Sequence, residues 1–85
     1  MMGTKRNPGR FDCHIDAGPD EPIFTFRASD DLAPWFVREW ARQRSLQIQT
    51  GTKPLSDRGK VSEAEGCATA MEAWYAANRA GGAAR

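Results

Sequence analysis

Few residues of this chain are equipped for chemistry: Cys13, His14, Asp16 and Cys67 are the candidates. Thiolate, imidazole and carboxylate all bind zinc, but a structural zinc site takes four ligands at workable spacing. Cys13 and His14 are adjacent, and no Cys-x-x-Cys accompanies them. A nucleophilic cysteine needs a base within reach of its thiol. Neighbours on a strand point to opposite faces, so Cys13 and His14 serve each other badly, and only His14 with Cys67 remains as a pair. The sequence holds one histidine, no glycine-rich phosphate loop and no helical metal-ligand motif. These residues predict a non-enzymatic protein with no metal and no cofactor. Cys13 and Cys67 lie on apolar alternations instead, where a reduced cysteine behaves as a small buried hydrophobe.

The remaining candidates suit binding rather than catalysis. Trp35, Arg38 and Arg42 fall on neighbouring turns of one predicted helix face. Tryptophan flanked by arginine is the composition of an interface hot spot, and both residue types also suit phosphate and base contacts. A solvated helix face and a partly buried tryptophan are the plain alternatives. Asp20–Glu21, set between Pro19 and Pro22, reads as an acidic turn. The 85 residues carry 12 basic and 11 acidic side chains, a net charge of +1. That balance argues against a dedicated DNA-neutralising protein and against a polybasic membrane binder. An acidic block with Asp12, Asp16, Asp20, Glu21, Asp30 and Asp31 precedes a basic one with Arg38, Arg42, Arg44, Lys53, Arg58 and Lys60.

A chain of this length fits one small domain, stable by a narrow margin. Residues 1–10 are expected to form a disordered tail, 11–80 the domain, and 81–85 a frayed end. The basic, polar start lacks the apolar run of a secretory signal, and no stretch approaches a membrane span. A cytoplasmic location with reduced thiols follows. Phe11, Cys13 and Ile15 alternate with polar residues over too few positions to decide between a strand and an irregular turn. Ile23–Ala28 is rich in β-branched and aromatic residues and reads as a strand, which Phe11–Ile15 could pair with as a hairpin. Ser29, Asp30 and Asp31 are competent N-caps for a helix from about Leu32 to about Arg44, with Pro34 in its first turn. Ala33, Phe36, Val37, Trp40 and Ala41 form its apolar stripe, with Trp35 at the edge. Leu46–Lys60, broken by Gly51 and Pro54, reads as a long connection. A second helix starts at Ser56/Asp57 or at Ser62, and its seam runs through Val61, Ala64, Ala68, Met71 and Tyr75, widened by Cys67 and Trp74. Its small residues allow close approach to the first helix. The expected fold is α+β, a short N-terminal strand or hairpin packed on an antiparallel two-helix pair.

Several separated motifs carry a resemblance: Phe11–Asp12–Cys13, Pro19 to Phe24 (PDEPIF), Asp31 to Pro34 (DLAP), Val37 with Trp40–Ala41, and then Lys60–Val61, Glu63–Ala64, Cys67–Ala68 and Met71 with Trp74. Over residues 11–75 the chain resembles a family of small uncharacterised proteins of phages, prophages and proteobacterial genomes. It departs from them in residues 46–58, where the family is shorter. The resemblance implies no activity. It implies a phage or mobile-element setting, in which small proteins without active sites act by binding a host protein, such as a defence complex or a polymerase. The expected function is accordingly a phage-type binding protein that inhibits or modulates a host protein through Trp35, Arg38 and Arg42. The alternative is a nucleic-acid-associated regulator using the same basic helix face. A membrane partner is not expected, and self-association is compatible with the sequence.

Overall fold

The computed structural model describes residues 3–7 and 16–80. Two α-helices and one short turn are delimited among the described residues: α1 over Ala33–Gln49, a 3-10 turn over Leu55–Asp57, and α2 over Arg58–Ala80. The helices pack against each other as a hairpin, with the 3-10 turn against both.

The expected α+β fold is corrected here, because no strand occurs among the described residues. Phe11–Ile15 lies outside those residues. Ile23–Ala28 is irregular rather than a strand. Its β-branched and aromatic residues favour a pleated surface only where a neighbouring strand supplies the ladder. What the segment finds instead is a helix. The Phe26 ring stacks on Phe36 of α1 with centroids 5.5 Å apart, and Phe24 meets Phe26 edge-on at 5.0 Å. Side-chain packing on α1 thus replaces strand pairing, and the exposed backbone is left to water.

Capping follows the sequence in part. Leu32, not an acidic residue, stands at the N-cap position, and it makes no side-chain cap bond. Asp30 serves two residues earlier: its Oδ1 accepts from the Leu32 N–H at 2.9 Å, and its carbonyl accepts from the Ala33 N–H at 3.1 Å. Pro34 occupies the first turn, where no intrahelical donor is needed.

At the other end α1 extends to Gln49, past the expected end near Arg44. Gly51 explains the stop. It adopts φ of +82°, which a side chain would strain. The Gly51 N–H donates to the Ile48 carbonyl at 3.2 Å and the Thr52 N–H to the Gln47 carbonyl at 2.9 Å. This is the Schellman arrangement, with glycine at C′. The expected long connection therefore shrinks, because its first residues continue α1 and its last ones begin α2. Of the two possible starts for α2, the earlier one is observed, at Arg58 directly after the 3-10 turn.

The interface between the helices is built of small side chains. Ala33, Ala41, Val61, Ala64, Cys67 and Ala68 are buried, with Val37, Trp40 and Ile48 packed partly buried against them. No large side chain is fully buried among the described residues. Alanine on both helices, rather than alanine facing a bulky stripe, sets their close approach. Phe36, expected in the stripe, turns away and is 42% exposed. Met71 is half-buried. Cys67 is buried as expected, and desolvation pushes its thiol above the usual range. Its alkylation in the native protein should therefore run slower than in the unfolded chain, since burial restricts access and the thiolate is the reactive form. Equal rates in a thiol-labelling time course would contradict this burial.

Candidate functional site

Helix α1 carries the residues that sequence analysis assigns to a partner surface, and its geometry brings them together. Trp35, Arg38 and Arg42 rise on successive turns of the helix. With Asp31, Pro34, Glu39 and Glu72 they line one shallow depression of about 300 Å³. Trp35 is 60% exposed.

The two arginines are engaged within the protein. Arg38 reaches across to α2 and grips Glu72 with both terminal nitrogens, Nη1 to Oε2 at 2.6 Å and Nη2 to Oε1 at 3.0 Å. Its Nη2 also donates to the Thr69 hydroxyl at 3.2 Å. The fork of a guanidinium matches a carboxylate in this bidentate form. Arg42 pairs with Glu39 one turn back, its Nε donating to Oε1 at 3.3 Å and its Nη2 to Oε2. Gln43 adds a third donor to Glu39, at 3.1 Å. The hydrogen bond to Glu72 holds the Arg38 guanidinium above its ordinary pKa, and the Glu72 carboxyl is held below its own. Glu39 is lowered by its bonds from Arg42 and Gln43. A lowered carboxylate contributes stability above its unfolded pKa, and that contribution fades as pH falls through the folded value. Both pairs lie open to solvent, which screens them.

The depression is consequently of mixed charge, three carboxylates against two arginines. Such a lining does not favour phosphate. A phosphate oxygen at Arg38 would have to displace a bidentate carboxylate already in place.

Beside the depression lies a feature that the sequence analysis missed. Trp35 meets Phe36 edge-on at 4.8 Å, Phe36 stacks on Phe26, and Phe26 meets Phe24. The four rings form one continuous row from α1 into the preceding segment. Phe24 is 78% exposed, and Ile23 and Leu32 are exposed as well. The strand reading hid this row, because it offered Ile23–Ala28 a neighbouring strand rather than helix α1 as its packing partner.

The other candidates are not assembled. Cys13 and His14 lie outside the described residues. Cys67 is buried in the helix interface, away from the depression on the Arg38 side. Among the described residues no three His, Cys, Asp or Glu side chains cluster as a metal site. No described helix is long and apolar enough to cross a membrane. Compared with known proteins, the chain matches no family, no curated protein and no solved structure.

Proposed function

We propose that this chain is a small non-enzymatic binding protein that inhibits or modulates a host protein through the exposed start of α1. One observation carries the reading: Trp35 stands 60% exposed, at the head of a row of aromatic rings. Exposed contiguous aromatic surface is costly to keep in water, and aromatic anchors dominate binding energy at protein interfaces. The phage setting rests on the motif resemblance alone, and a cytoplasmic location goes with it. A nucleic-acid role for this face is the weaker reading, since Arg38 and Arg42 are both held by carboxylates.

Capture from a host lysate followed by mass spectrometry supplies the partner, and Trp35→Ala then tests the surface. The expected loss of affinity is at least about tenfold. Reversing Arg38 to glutamate would set it against Glu72 and strain the helix pair, so Arg38→Gln/Arg42→Gln is the cleaner companion. That variant should weaken binding less than Trp35→Ala does, with melting close to wild type. Unchanged affinity in both variants would move the site elsewhere.

A further inference from the structure

Acidic residues flank the aromatic row along the chain and form a rim to it. Asp30 and Asp31 immediately precede Leu32, while Asp20 and Glu21 lie within four residues of Phe24. Chain reach alone keeps those two within about 14 Å of it. The four carboxylates face one cation in the same stretch, Arg27. Among the described residues none of the four takes part in an ion pair. Within the same residues Glu21 accepts only from the Gly18 N–H and Asp30 only from the Leu32 and Ala33 backbone donors. Their charge is therefore unpaired among the described residues, in contrast to Glu39, Glu72 and Asp57, each of which holds a basic side chain.

We infer that the Phe24–Trp35 face docks a basic, apolar segment of a partner protein, one that sets aliphatic or aromatic side chains on the rings and Lys or Arg against the rim. This deepens the partner-binding reading above and rests on it. An apolar centre with a charged border is the ordinary anatomy of a specific interface, and the border selects the sign of the partner. The same rim argues against a second copy of this chain. A two-fold contact through this face would bring Asp30 and Asp31 toward their own counterparts, and like charges opposed across an interface are disfavoured. It argues against nucleic acid for the same reason.

The test is selection of a random-peptide library against the full chain, run in parallel with two variants. Phe24→Ala/Trp35→Ala removes the two most exposed rings. Asp20→Lys/Asp31→Lys reverses the rim at two carboxylates that accept no hydrogen bond among the described residues, so a folding defect is not expected, and helical circular dichroism checks both variants. Enriched peptides should combine apolar residues with Lys or Arg. A synthesised winner should lose at least about tenfold in affinity on Phe24→Ala/Trp35→Ala. It should also bind more weakly as salt is raised. On the reversed rim the enriched peptides should turn acidic. Enrichment of neutral or acidic peptides on the wild-type face would overturn the inference while leaving the partner-binding reading standing. Enrichment indifferent to Phe24 and Trp35 would overturn both. Concentration-dependent self-association that Phe24→Ala abolishes would assign the face to a second copy and so also overturn the inference.

Discussion

Trp40→Ala is expected to destabilise the hairpin by about 2–3 kcal/mol, somewhat below the cost of deleting a fully buried tryptophan. The magnitude follows from position. Trp40 packs against the Ala41–Val61–Ala64 cluster, yet part of its surface stays exposed. It is also the largest side chain at a helix interface otherwise made of Ala, Val, Ile and Cys. Arg44, one turn on, lies over its ring with the guanidinium carbon 4.9 Å from the centroid. That contact adds roughly 0.5–1 kcal/mol where solvent is partly excluded. In a domain of this size the loss should lower the melting temperature by roughly 10–20 °C. Trp35→Ala is the control, because a substitution at an exposed site falls within about 0.5 kcal/mol. Thermal unfolding followed by circular dichroism separates the two. Equal melting temperatures for Trp40→Ala and Trp35→Ala would show that the interface does not depend on Trp40.

The contrast between these tryptophans also marks what was legible beforehand. Helical periodicity distinguished Trp40, inside the stripe, from Trp35, at its edge, and the structure keeps that difference. It found both helices for the same reason: a 3.6-residue pattern is local, and every turn repeats it. Ends and partners were harder. The Gly51 stop was visible in sequence, but Ser45 and the polar glutamines around Ile48 obscured the continuation of α1 to Gln49. Ile23–Ala28 failed as a strand because strand propensity expresses the fit to a neighbour, and the neighbour is not written in the segment itself. The Phe26 ring satisfied its preference for packing on Phe36, ten residues away, and Phe24 meets Phe26 edge-on.

The site was legible in composition and less so in electrostatics. Spacing along α1 brought Trp35, Arg38 and Arg42 to one depression. Nothing local announced that Arg38 would be taken by Glu72, which lies 34 residues away on α2. The pair is visible only once the antiparallel register is known. Arg42 with Glu39 is different, being an i,i+3 pair on one helix that spacing alone permits. The sequence therefore overstated the free positive charge of this face. It understated the apolar surface, since Phe36 was placed in the buried stripe and is exposed, as is Phe24 in the segment before it.

Asp57 stood in the sequence as a possible start of the second helix, yet its removal should rank next in cost, at about 2 kcal/mol for Asp57→Ala. It is the one buried charged residue among those described, 8% exposed, at the junction between the 3-10 turn and α2. Its Oδ2 accepts from Arg44 Nη1 at 2.7 Å, and Lys60 Nζ stands 3.9 Å from Oδ1. Arg44 in turn donates through Nε to Gln47 at 2.9 Å and covers the Trp40 ring. One carboxylate thus fixes the end of α1 to the start of α2 through a guanidinium that is itself mostly shielded. Alanine at Asp57 leaves that guanidinium without its anion, and the cost of the stranded charge exceeds the net worth of the pair. A double-mutant cycle distinguishes these contributions. Arg44→Met keeps an apolar stem against Trp40 while removing the charge. The double variant Arg44→Met/Asp57→Ala should then be no less stable than Asp57→Ala alone, because no unpaired charge remains. Added salt should leave the Asp57→Ala penalty nearly unchanged, since a shielded pair is screened far less than the open Arg38–Glu72 pair. Strictly additive losses in denaturant unfolding would mean that Arg44 and Asp57 stabilise the hairpin independently, and the junction would have to be held by the backbone of the Leu55–Asp57 turn instead.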